Sequence, residues 1–375
     1  MFKRVIHTGW FAATPLLLTA ILALVFFSFQ RVLVDCREDP CGQVTIAGLF
    51  EPDLSVAVNP AGAIVVPPVV IPDTAGPATT QALRKAGEAA RLRMLTAAAE
   101  RHSARLVVLF FVGLGLIASA AAFGVAALML SPPQGEARRR YTILRGVVLA
   151  FAGAMCVMLY LHPGHGGLSR QILHRTVAGQ AALAEPRAVH LLTLVTALQL
   201  AASFALVVAC VSLLLPVQRS ETAESAPAAA HDPEERLRSE LRPLTHRLMA
   251  LRIFLFVATV LLVIGVLRMQ AVWRWALSFV GPEAAQALAS VASTVPSLTG
   301  AFYTLVLVAV YVPSAFALRT RVNTVIADAA LPAEKADAMR AAVLPGDSIM
   351  GAIPRIAALT APLLAGPIAK LLEQL

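Results

Sequence analysis

Six stretches of this chain run for about 15 to 25 residues without one Asp, Glu, Lys or Arg: Phe11 to Phe29, Leu106 to Leu130, Gly146 to Leu161, Leu191 to Leu215, Ile253 to Leu267 and Thr299 to Leu318. A helix rising 1.5 Å per residue needs about 20 apolar residues to cross a hydrocarbon layer of roughly 30 Å, so each run reads as a span. The third and fifth are short and borrow flanking residues or stand nearly upright. Composition agrees: 58% of residues are hydrophobic and 14% charged, with a mean hydropathy of +0.74. Soluble domains carry about 45–50% apolar and 25% charged residues, and disordered chains far fewer apolar ones, so both classes are excluded. The fold class expected is an all-α integral membrane protein. It is a six-span helical bundle with a small outer β-hairpin and stalk insertion and amphipathic inner helices.

The net charge of +9 does not mark a nucleic-acid surface, because the basic residues fall in short loops beside the apolar runs. Counted loop by loop, 18 Lys and Arg fall on one side of the expected membrane and 11 on the other. The richer side holds both termini, which the positive-inside bias places in the cytoplasm of a cell with an inner membrane. Lys3 and Arg4 before an apolar run resemble a signal peptide. That run exceeds a signal core, and no small-x-small site follows Phe29, so a retained anchor is expected.

The resulting organisation is a first span in 1–30, an outer periplasmic hairpin and helical stalk in 31–104, and spans two and three with a basic inner loop in 105–162. An outer His-containing loop and span four occupy 163–216. An inner linker and juxtamembrane helix fill 217–251, spans five and six with an apolar outer hairpin fill 252–318, and an inner tail with an interfacial segment fills 319–375. In the outer insertion, Leu54 to Val58 and Ala63 to Val66 flank Asn59-Pro-Ala-Gly and read as a hairpin. From Ala78 onward Leu83, Ala90, Met94 and Ala97 repeat at helical spacing with no breaker before span two. One helix of roughly 50 residues, about 75 Å long, is expected. Such a stalk needs a partner for its apolar stripe, most simply another copy of itself.

On the inner side Asp232 is a good N-cap and Pro233 a good first helical residue. The stripe Leu237, Leu241, Leu244, Leu248 and Leu251 then leads into span five, with Pro243 a candidate kink. Leu331 to Ala342 reads as a short helix. The stretch Ile356 to Leu372 is broken by Pro362, Gly366 and Pro367, so an interfacial or re-entrant segment is expected there rather than a seventh crossing.

Sites for chemistry are sparse. Cys36 and Cys41 sit just outside span one, where an oxidising compartment favours a disulfide; Cys156 and Cys210 lie inside spans and read as packing residues. His162, His165, His174 and His190 are the weak candidates for a metal or haem site, and surface imidazoles in a loop are the simpler reading. Thr196, Gln199 and Ser203, with Cys210, line one face of span four as a helix-contact face or a pore lining. Small residues at fourth positions, Gly115 with Ser119 and Gly146 with Ala150 and Ala154, suggest close helix contacts. Residues 271–296, with Trp273 and Trp275 near a Gly281-Pro282 break, read as an interfacial hairpin with a re-entrant pore loop as the alternative.

No nucleotide loop, nucleophile elbow or HExxH occurs. No catalytic residue and no cofactor is expected. The expected function is therefore a non-enzymatic inner-membrane protein, an oligomeric scaffold or membrane subunit of a complex. The alternative is a pore or channel built on the re-entrant stretch. Expected partners are the lipid bilayer, further copies of the chain and a cytosolic or periplasmic protein, without nucleic acid.

Overall fold

The computed structural model describes residues 57–58, 64–65, 77–130, 186–214, 233–278, 282–329, 332–343 and 349–372, with scattered helical residues in 142–154. Span one, Cys36, Cys41, Cys156, His162, His165 and His174 lie outside the described residues. So does most of span three.

The described residues form six long or medium helices: α1 (Pro77–Met129), α2 (Pro186–Ser212), α3 (Pro233–Leu277), α4 (Pro282–Asp328), α5 (Ala333–Val343) and α6 (Ile349–Leu372). Four contain segments long and apolar enough to cross a bilayer: Ala99–Met129, Leu191–Ser212, Leu237–Leu277 and Ala292–Asp328. The chain is a helical membrane protein. Two pairs of residues, Ala57 with Val65 and Val58 with Ile64, make a minimal antiparallel ladder of β1 (Ala57–Val58) and β2 (Ile64–Val65). So short a ladder has little stability of its own.

The long helix expected from Ala78 is present as α1, unbroken over 53 residues. Its direction follows from its contacts. Arg101 Nε donates to the Ser278 carbonyl at the end of α3, 2.9 Å away. Ala118, Ala122 and Ala126 pack in the cluster that holds Leu241 and Leu255. α1 and α3 are therefore antiparallel. α2 runs alongside α1 in the same direction, with Val195 beside Val108 and Val112 near the α3–α4 turn, and Leu214 far from it. Below, the end carrying that turn is the turn end and the other the base.

At the base, two arginines close the carbonyl end of α2. Arg247 Nη1 donates to Leu213 O at 2.8 Å, and Arg321 Nη2 donates to Leu214 O. Cations at a helix carboxyl end offset its partial negative charge and fill its orphan acceptors. α3 starts at Pro233, as Asp232 and Pro233 lead one to expect, and runs through Pro243 without a break. The leucine stripe from Leu237 to Leu251 is buried on the molecule's own bundle, in one cluster with Val322 and Ile326 of α4 and Ala336 of α5.

Two sequence expectations give way here. Residues 271–296 are not a separate hairpin lying between two spans. Ala271–Leu277 completes α3, and α4 begins at Pro282. The spans simply continue past the ends that hydropathy gave them. The tail also differs from a segment resting on a surface, because α6 lies lengthwise against α3 and α4. Its contacts run antiparallel to α4, with Pro362 against Gly300 and Gly366 against Ser297.

Pro362 and Pro367 read as breaks in the sequence, and the packing explains how the helix tolerates the first of them. Pro362 has no N–H, so the carbonyl of Ala358 loses its usual intrahelical donor. Thr259 of α3 stands 3.0 Å from that carbonyl and 2.7 Å from its own Leu255 carbonyl, with one hydroxyl proton for the two. The orphan acceptor is met from the neighbouring helix. Gly300 allows the approach: a Cβ there would stand 2.3 Å from Pro362 O, too close for any other residue.

Small residues do not meet neighbours everywhere they were expected to. Gly115 does, as a Cβ there would lie 3.2 Å from Val195 Cγ1. Gly146 faces open space among the described residues, and Ala150 and Ala154 are exposed.

A polar layer inside the bundle

The apolar spans are not free of charge. Ending span five at Leu267 leaves Arg268 outside it, whereas α3 continues through Arg268 for a further two and a half turns, and the residue is only 8% exposed. Among the described residues its Nη1 has no hydrogen-bond partner. An arginine stays protonated in nearly any protein setting, so this is a buried cation without a bonded acceptor on that nitrogen.

Around it the neighbouring helices supply more donors. Gln199 of α2 is 7% exposed, and its Nε2 is also without a partner among the described residues. Two glycines make room for this carboxamide. A Cβ on Gly115 of α1 would lie 3.1 Å from Gln199 Nε2, and one on Gly265 of α3 would lie 4.0 Å from Gln199 Oε1. The same Gly265 position lies 3.5 Å from Tyr303 Cε2 and 4.0 Å from the Tyr303 hydroxyl. Gly265 and Arg268 are three apart and share a helix face. Tyr303 of α4 is an electrostatic neighbour of the Arg268 guanidinium. Gln199, Arg268 and Tyr303 thus form one polar layer across α2, α3 and α4, closed by Gly115 on the α1 side.

Besides Gln199 Nε2, four buried polar atoms are unpartnered among the described residues, all on α3 and α4: Arg268 Nη1, Gln270 Oε1, Trp273 Nε1 and Thr304 Oγ1. Native interiors leave few such groups unsatisfied, and each calls for a reason. Gln270 is an acceptor, but two residues from Arg268 on a helix it points to another face. Trp273 packs with Met269, Leu277, Ala292 and Val295, away from the layer.

One turn toward the base lies a small void of about 40 Å³, lined by Ser203 of α2, Leu261 and Leu262 of α3, and Val306 and Leu307 of α4 among others. All its lining residues but Ser203 are apolar. A cationic, donor-rich layer and an apolar hollow therefore share the same three helices.

The residues singled out from sequence separate on this geometry. Thr196 and Ser203 spend their hydroxyls on their own helix, on Leu192 O at 2.7 Å and Gln199 O at 2.8 Å. Gln199 alone of that set reaches between helices with a free donor. Cys210 sits lower, with its sulfur 3.5 Å from the Ser314 hydroxyl. His190 lies in the second turn of α2, and its side chain is outside the described residues. Among the described residues no group of three His, Cys, Asp or Glu is gathered for a metal.

Arg268 and Tyr303 were missed by reading the sequence. The available signal was the apolar run that resumes after Arg268, in Met269 to Leu277, which identifies the arginine as interior rather than terminal. Compared with protein-family models, curated proteins and solved structures, the chain matches none. Its function has to be argued from the layer itself.

Proposed function

We propose that this membrane protein binds a small anionic solute, of the carboxylate kind, inside its bundle and serves in its passage or recognition. The single observation that carries the reading is Arg268, a buried cation whose Nη1 is unpartnered among the described residues, in the same layer as the equally unpartnered Gln199 Nε2. Intramembrane charges are costly and mark function more often than structure. None of the six apolar runs contains Asp or Glu, and among the described residues the electrostatic neighbour shown for the guanidinium is Tyr303 rather than a carboxylate. The counter-charge comes from outside the chain. A carboxylate suits the planar fork of Arg268 with Gln199 and Tyr303 as further donors, and its aliphatic part suits the void beneath.

The alternative in which a pore loop dips between spans five and six loses its support, since those residues extend α3 and α4. The parallel course of α1 and α2 favours a third crossing, because the chain between them has to return to the turn end. The charge count supports an inner-membrane setting with the base facing the cytoplasm, and that orientation carries the end of α6 toward the outer side.

The scaffold reading stays in play through one observation. Before Arg101, α1 runs for about 35 Å, and Leu92 and Leu95 on it are 63% and 43% exposed. A homo-oligomer formed through this stalk is compatible with an anion site in each copy. Flux decides between the two uses of the bundle. Purified protein in liposomes is expected to exchange labelled acetate or propionate at a rate well above empty liposomes, and Arg268→Gln to remove at least nine-tenths of that excess. Equal flux in both proteins would rule out the site, whereas no flux with intact carboxylate binding would favour recognition over transport.

A further inference from the structure

We propose that the site around Arg268 selects straight-chain monocarboxylates by the length of the tail, with the apolar void beneath the polar layer as the ruler. The inference rests on the anion site proposed at Arg268. Each of the three helices that build the layer also lines the void, and from the same face. Ser203 follows Gln199 by four residues on α2, Leu262 precedes Gly265 by three on α3, and Val306 follows Tyr303 by three on α4. Residues three or four apart on a helix lie one above the other, so the upper rim of the void stands about 5 Å below the layer. Gly265 leaves the step between the two levels open, since a Cβ there would meet nothing closer than Tyr303 Cε2 at 3.5 Å. Side chains lean toward the amino end of their own helix, which carries Gln199 and Tyr303 toward the turn end and Leu262 toward the base, away from that step on both sides.

The chemistry of the void and its closed lower end make the selection. Ser203 is the one polar residue in the lining, and its hydroxyl is spent on Gln199 O. Apolar hollows of this kind stay dry, so carbon entering one displaces no bound water. Each methylene that reaches it is expected to tighten binding about fourfold, the equivalent of burying one CH₂ group. A second carboxylate at the far end of the tail would lie there without a partner, which excludes dicarboxylates. Capacity is small, because the void measures about 40 Å³ and one water-sized group needs roughly 10–15 Å³, leaving room for two or three methylenes. Leu206, Phe254 and Val310, each 1% exposed, close the lower end. A tail of three to five carbons, as in butyrate to hexanoate, crosses the step and fills the hollow, and a longer one collides with this floor.

The test is thermal unfolding of the full chain in neutral-lipid nanodiscs, titrated at constant ionic strength with acetate, butyrate, hexanoate, octanoate and succinate. Arg268→Met, run in parallel, controls for acids that act through the lipid. The concentration for half-maximal stabilisation is expected to fall at least tenfold from acetate to butyrate and to rise at least tenfold from hexanoate to octanoate, with no stabilisation by succinate. Val310→Ala enlarges the hollow and is expected to move the optimum to a longer acid, whereas Ala258→Val fills part of it and moves the optimum to a shorter one. Equal concentrations for acetate and butyrate, values still falling at octanoate, succinate acting as well as butyrate, or an optimum that neither substitution moves would each overturn the ruler. Where a variant does not fold, the wild-type series decides alone. Those outcomes leave the anion site standing as long as acetate raises the melting point of the wild type and not that of Arg268→Met. A wild type that none of the acids stabilises removes both.

Discussion

Two glycines on neighbouring helices show how much a single side chain decides here, and they lead to opposite expectations. A Cβ on Gly300 would collide with Pro362 O at 2.3 Å, and backbone cannot step aside as a flexible side chain does. Gly300→Ala is expected to force α4 and α6 apart and cost about 1–3 kcal/mol, the usual range for overpacking. A thermal unfolding curve in detergent checks it. A Cβ on Gly265 meets Tyr303 at an ordinary 3.5 Å. Gly265→Ala therefore leaves stability unchanged or raises it by up to about 1 kcal/mol through helix propensity, while its methyl takes space between Gln199 and Tyr303. The readout that separates the two is stabilisation by added carboxylate, which Gly265→Ala is expected to weaken. Thr259→Val removes the hydroxyl that meets the Ala358 carbonyl, and a loss near 1 kcal/mol is expected for an interhelical bond in a membrane bundle. The cost should vanish when Pro362→Ala restores the intrahelical donor. Arg268 itself was hidden from a sequence reading for a physical reason: one charge cuts an apolar run in two, and hydropathy ends the span at the cut. Burial at that position depends on which neighbours α2 and α4 bring, and these are not legible along one helix.

At the scale of elements, much was legible because local signals and packing agree. The absence of a breaker between Ala78 and span two gives α1 its 53 residues. Asp232 and Pro233 mark the start of α3, and the leucine stripe names the face it buries. The tail was less legible, since Pro362, Gly366 and Pro367 argue against an unbroken segment on local grounds and Thr259 and Gly300, some 60 to 100 residues away, supply the compensation at Pro362. The same long-range logic holds at the helix ends, where Arg247 and Arg321 serve the last carbonyls of α2 and Arg101 serves that of α3. Replacing Arg247 and Arg321 together by Gln is expected to cost about 1–2 kcal/mol. Hydrogen exchange should localise the loss to the last two turns of α2, with α6 unchanged. Uniformly faster exchange over the bundle would show that the two arginines hold more than this helix end.

For the whole molecule the governing fact is a bundle that carries a cation in its core and no carboxylate in any apolar run. A buried charge lowers stability unless something answers it, so the chain alone is expected to be less stable than a variant without the charge. Arg268→Met should therefore melt at the wild-type temperature or above it, whereas truncating a packing residue of the same core, as in Leu255→Ala, should lower the melting point by several degrees. The anionic ligand reverses this order, because binding to the folded state alone stabilises it by mass action. The most direct measurement is thermal unfolding of the full chain in neutral-lipid nanodiscs, titrated with propionate at constant ionic strength, for wild type and Arg268→Met side by side. The expected result is a wild-type melting point that climbs with propionate and saturates while that of Arg268→Met stays flat. Parallel curves, or a wild-type protein that no carboxylate stabilises, would contradict an anion site at Arg268.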